Sequence, residues 1–311
     1  MDVEKWQHRF WRAVPGPLRE PLHVLVGGAE RWIDASGPQL GASIAFYTVF
    51  ALAPLLVITI AIAGAVFGPE AARGEVVEQI EGMVGPTAAQ AIEGMIETAW
   101  KEPGGTTAAL AGVATLLVGA SGAFVELRRT LNLIGHVEPE PSALGAFLRV
   151  RLTAFALLLG CGFLAIVSLV VSAALAALTA WLSARYAALK LMASMFDIGV
   201  SIAVLSVAFA ALVHWLPDRP PTRTGVWISA VASAVLFTIG KYLIGLYLGR
   251  SSVASSYGAA GSFVVLMLWI YYSSQILLFG AALGRIHDER RAERRRRAMS
   301  SRSSAGAPGE R

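Results

Sequence analysis

The chain has 311 residues, of which 55% are hydrophobic and 15% charged, against the roughly 25% charged residues usual in soluble globular proteins. That balance, with its long stretches almost free of charge, excludes an ordinary soluble domain and points to a polytopic, all-α membrane protein. The net charge of +5 marks where the loops lie and is not evidence for a nucleic-acid partner.

The first 39 residues are charged and aromatic, with Trp6, Phe10, Trp11 and Trp32. They contain no apolar run followed by a small-residue cleavage site, so entry into the membrane is expected to use the first span. The segment 1–39 reads as a cytoplasmic or interfacial pair of short amphipathic helices. Spans are then predicted at about 40–67, 106–127, 150–182, 191–216, 226–248 and 258–284, each long enough to cross a bilayer. In the first, AFYTVFALAPLLV places Pro54 mid-span, where it removes a helix hydrogen bond and predicts a kink, a candidate hinge.

The outer loop 68–105 is the one large loop. It carries seven glutamates and two basic residues. Val76, Val77, Ile80, Met83 and Val84 share one helical face, and Ala88, Ile92, Met95, Ala99 and Trp100 another, with Pro86 between. Two short amphipathic helices on the outer surface are expected there. The lone cysteine, Cys161, lies in the apolar third span and reads as a small buried hydrophobe. LPDRPPTRTG (216–225) is a tight turn between the fourth and fifth spans. The run RRAERRRRAMSSR (290–302) belongs to a basic, disordered tail over 285–311 that contacts anionic headgroups.

Lysine and arginine set the orientation. Twenty lie on the side that holds both termini and five on the other, with Lys241 inside a span. Both termini are therefore expected in the cytoplasm, as an even number of spans requires.

Three small-residue phrases recur: GASIAFY (41–47), GASGAFV (119–125) and GAAGSFV (258–264). None fits a phosphate-binding loop. Gly41, Gly119, Gly122, Gly258 and Gly261 read instead as close helix contacts, as do the GxxxG pairs Gly64–Gly68 and Gly245–Gly249. GASG (119–122) also matches the serine motif of rhomboid-type proteases, which would need Ser121 near His214, the one histidine in a span. The wider pattern is missing. The five histidines are scattered, without HExxH or an acidic cluster, so no metal, cofactor or enzymatic activity is expected.

Intramembrane polarity is more informative. Asp197 and Lys241 lie at similar depth in consecutive spans, so an ion pair between them is open. The sixth span carries Ser262, Trp269, Tyr272, Ser273 and Gln275, with Arg250 and Tyr257 just before it. Buried amides and hydroxyls need partners, so this helix should face the bundle interior. Asp197, Lys241, Gln275, Arg250, Tyr257 and Tyr272 are the candidate residues for handling a solute.

ASIAFYTVFALAPLLVI (42–58), ELRRTLNLI (126–134), LVHWLPDRPP (212–221) and GKYLIGLYLGRSSVASSYGAAGSFVVLMLWIYYSSQILLFGAAL (240–283) resemble the YihY/virulence factor BrkB family of bacterial inner-membrane proteins, formerly labelled ribonuclease BN-like. The likeness covers roughly 30–290 and implies a six-helix protein of the inner membrane with cytoplasmic termini. Members often carry an acidic residue just after the final Gly-Ala, where this chain has Ala282. No conventional hydrolytic constellation supports the ribonuclease label. The family's link to the cell envelope implies transport or flipping of an amphipathic or anionic solute or lipid, with a non-transporting scaffold or envelope-assembly factor as the rival. Membrane lipids are the expected partners, nucleic acid is not, and a homo-oligomer is left open.

Overall fold

The computed structural model describes residues 16–51, 122–138, 187–250 and 261–305, with single helical positions at 90, 93, 152, 153, 156, 157, 160 and 164. All regular structure among them is helical. We label the helices α1 (Gly16–Asp34), α2 (37–51), α3 (122–134), α4 (Ala187–Trp215), α5 (Arg223–Arg250) and α6 (Gly261–Ala305). Three helices, α4, α5 and α6, are long and apolar enough to cross a membrane. The other predicted spans, Pro54 and most of the outer loop lie largely outside the described residues.

Helix ends follow local chemistry. At the end of α3, His136 takes φ 49°; its N–H donates to the Leu133 carbonyl (3.1 Å) and that of Val137 to Asn132 (2.9 Å). This 6→1 and 5→2 pair of bonds closes the last turn. Thr222 caps α5, its hydroxyl accepting from the Gly225 N–H at 3.3 Å. Asp288 of α6 in turn accepts from the Thr222 N–H at 2.6 Å, which places a carboxylate at the positive end of α5.

α5 packs against both α4 and α6, and α1 packs along α6. The α5–α6 contact is built from small residues at four-residue intervals. Gly225, Ser229 and Ser233 of α5 meet Gly280 and Gly284 of α6. A Cβ on Gly280 would lie 2.8 Å from the Ser229 carbonyl oxygen, so the two backbones are nearly touching. Lipid supplies no hydrophobic drive between helices, and close backbone approach replaces it. The phrase responsible is FGAALG (279–284), a GxxxG other than the two singled out from the sequence.

One core cluster joins α2, α3 and α6 at the end of the bundle that carries the α4–α5 turn. Ile134, Leu278 and Ala282 are fully buried there, with Leu40, Ile44, Leu131 and Leu216 around them. Ala282 thus fills a site with no room for solvent, where a carboxylate would need a buried partner.

The same end is laced with ion pairs. Asp218, in the turn, pairs with Arg128 and accepts from Asn132 Nδ2 at 2.6 Å, while its own N–H donates to Asn132 Oδ1 at 3.0 Å. Glu126 is buried, receives the Ser43 hydroxyl and pairs with Arg129 at 3.0 Å. Arg285 donates to the Arg219 carbonyl. These contacts fasten α3 and α6 to the α4–α5 turn.

The tail departs from expectation. Instead of ending near residue 284, α6 runs unbroken for 45 residues to Ala305, about 67 Å at 1.5 Å per residue. Arginine, alanine and glutamate are good helix formers, and extending an existing helix needs no new nucleus. α1 also holds the extension, through a two-pronged Arg31–Glu289 pair (2.8 and 2.7 Å) and an Arg294–Glu20 contact at 2.5 Å.

Two outcomes follow for stability of the detergent-solubilised protein. Gly280→Ala should cost about 1–3 kcal/mol by overpacking against backbone and lower the thermal midpoint. Gly199→Ala, with nothing within 4 Å of the new methyl, should be neutral or mildly stabilising. Equal effects at the two sites would refute the close α5–α6 approach. Asp218→Ala strands the Arg128 charge and should cost about 3 kcal/mol, a loss that Arg128→Met in the same chain should partly restore.

Candidate functional site

Lys241 is the centre of interest among the described polar residues of the spans. On α5 it falls on the helical face of Ala230 and Ala234, which are fully buried, since seven residues make nearly two turns. Yet Lys241 itself is exposed. That face is buried at Ala230 and Ala234 and exposed at Lys241, as it is at Trp227 nearer the charged end. Among the described residues no carboxylate pairs with it. An ammonium group at such depth is costly and ordinarily marks a cavity, a partner or a route to the interface.

The surface one turn below Lys241 is aromatic and drawn from three helices. Phe237 stands 6.1 Å from Phe209 of α4 and 5.6 Å from Trp269 of α6, and Trp269 stands 6.4 Å from Tyr272, as ring centroids. Tyr272 lies over Gly240, where no side chain larger than hydrogen fits, and its hydroxyl donates to the Leu236 carbonyl at 3.4 Å. Tyr272 thus packs on the buried Gly240 side of α5, while Lys241, the next residue, is exposed.

Gln275 goes elsewhere. Its Oε1 accepts from Trp32 Nε1 at 2.9 Å, and its Nε2 donates to the carbonyls of Gly37 (3.2 Å) and Pro38 (3.4 Å). Gly41 leaves room for it, since a Cβ there would lie 2.8 Å from Gln275 Cδ. Gln275 therefore stitches the α1–α2 turn to α6. Gly122 lies against the ring of Tyr47, 3.2 Å from a Cβ placed on it. Gly261 opens α6.

Several sequence candidates are not placed. Asp197 lies in α4 and Arg250 ends α5, but their side chains fall outside the description, as does any Asp197–Lys241 pair. Tyr257, Pro54, Gly119, Gly258 and Ser121 also lie outside the described residues. His214 is exposed, its ring tilted against Trp215 at 5.9 Å.

A second polar site lies at the charged end, between α1 and the extension of α6. It is a cleft of about 520 Å³ lined by His23, Ile286, Glu289, Arg290, Glu293, Arg294 and Arg297. Burial holds the His23 imidazolium below its ordinary pKa, and the neighbouring Arg290 guanidinium adds to the effect; Arg19 and Arg294 act the same way and Glu20 opposes them. Sequence reading missed this cleft because it treated the basic run as unstructured. It also missed the buried Glu126, and Asp218, whose partners Asn132 and Arg128 lie 86 and 90 residues away. No group of metal-ligating side chains is found among the described residues.

A family model described as virulence factor BrkB matches residues 29–305. A UPF0761 membrane protein of Rhodospirillum centenum is 23% identical over 276 residues, covering 88% of this chain. The chain spans 59% of the length of that curated relative. No solved structure matches it. With three helices suited to a bilayer and a family match over nearly its whole length, the chain is a membrane protein of the virulence factor BrkB family.

Proposed function

We propose that the protein crosses the bacterial inner membrane six times, with both termini in the cytoplasm, and moves an anionic amphiphile of the cell envelope, Lys241 meeting its charge. The observation that carries this reading is Lys241: an exposed cation inside a span, one helical turn from Phe237 and its aromatic cluster. The half-buried Phe237 and Phe209, backed by the buried Trp269, offer apolar and π surface to a chain or ring, and the ammonium offers a counter-ion to a phosphate or carboxylate. Bias of basic residues supports the orientation. No bond is made or broken in this proposal and no cofactor is invoked.

A scaffold role is the second reading. It is favoured by Gln275, whose amide is fully occupied in tying helices together. A transport assay separates the two. In proteoliposomes with a fluorescent phosphatidylglycerol, the wild-type protein should speed exposure of inner-leaflet lipid to a membrane-impermeant quencher. Lys241→Gln should slow this about tenfold, equivalent to ~1.4 kcal/mol, while Lys241→Arg retains most of it. Rates equal to protein-free liposomes, for the lipid and for water-soluble anionic amphiphiles alike, would leave the scaffold reading standing.

A further inference from the structure

The cleft between α1 and the α6 extension holds more positive charge than its own carboxylates use. Glu289 is taken by Arg31, in a two-pronged pair at 2.8 and 2.7 Å. Arg294 is taken by Glu20 at 2.5 Å. That leaves Arg290 and Arg297 against Glu293 among the lining residues. Neither guanidinium has an ion pair or hydrogen bond to any described residue. They stand seven residues apart on α6, so both point to the same side of the helix, and His23 faces them from α1.

We infer that this cleft is a binding site for a phosphate-bearing anion, with Arg290 and Arg297 as its charge partners and His23 on the facing wall. Guanidinium forks match phosphate oxygens in pairs. Ile286 lines the cleft one turn before Arg290, just beyond the apolar part of α6. Val26 and Ile33 on α1 are 40% and 63% exposed, giving that helix apolar surface outside the cleft. Both features suit the headgroup of an anionic lipid, and free phosphate presents the same chemistry. The site is separate from Lys241 and stands without the transport reading.

His23 itself reports occupancy. Burial and Arg290, with Arg19 and Arg294, hold its pKa down against Glu20; an anion between the arginines should raise it by about one unit. The experiment uses the full chain with ring-labelled histidine, in nanodiscs of phosphatidylcholine alone, titrated by NMR with His23→Gln to assign the signal. Inorganic phosphate is added in one arm, and phosphatidylglycerol is included in the disc in the other. A rise of His23 with phosphatidylglycerol identifies a lipid headgroup, and a rise with inorganic phosphate identifies a soluble ligand. Either supports the site, provided that Arg290→Gln/Arg297→Gln abolishes the rise while Lys241→Gln leaves it. If the double variant fails to fold, Arg297→Gln alone, at an exposed position, should at least halve the shift. No shift in either arm overturns the site. So does a shift that survives the arginine replacements, or one matched by exposed His136, which would report surface potential only.

Discussion

Everything placed in this molecule hangs on the approach of α5 to α6. Gly225, Ser229 and Ser233 form one small-residue strip, and Gly280 and Gly284 form the other. Because the strips repeat every four residues, sliding either helix by one residue would drive side chains into backbone. The register so fixed lets Asp288 reach the Thr222 N–H and hydroxyl and Arg285 reach the Arg219 carbonyl. At the other end of the contact it brings Tyr272 over Gly240. Lys241 is the next residue of α5, and its position is a consequence of that register.

The two ends of the bundle handle charge in different ways. Near the α4–α5 turn, carboxylates and guanidiniums are paired: Arg128 with Asp218, Arg129 with Glu126, Arg31 with Glu289. Arg128–Asp218 is the most enclosed of these and is expensive to break from one side, so it fixes α3 against the turn, while Arg31–Glu289 links α1 to α6. Lys241 has no such arrangement among the described residues. A family of membrane proteins can tolerate an open intramembrane cation only where something else compensates it, be it water, lipid or a transported anion.

Much of this was legible in the sequence. Composition gave the membrane class, hydropathy gave α4, α5 and the apolar part of α6, and LPDRPP gave the turn between α4 and α5. What escaped was partnership. GAALG contains the decisive GxxxG, but Gly, Ala and Ser are so common here that periodicity alone does not rank one small pair above another; only the facing Ser229 and Ser233 distinguish it. Gln275 reads as a polar residue in search of a partner, and its partners are the Trp32 indole and two backbone carbonyls, all more than 230 residues away, which no local pattern encodes. The basic tail reads as disordered because like charges repel, and that reasoning omits Glu20 and Arg31 of α1, which anchor two of its turns.

The central claim is that Lys241 meets an anionic amphiphile inside the membrane. The most direct measurement is a cryo-electron microscopy map of the full chain extracted with its native lipid. The expected result is elongated density whose polar end lies within hydrogen-bond reach of the Lys241 ammonium and whose apolar part rests on Phe237 and Phe209. A map in which Lys241 is ion-paired within the protein, or reaches to the bilayer surface with hydrocarbon packed over the aromatic rings, would contradict it.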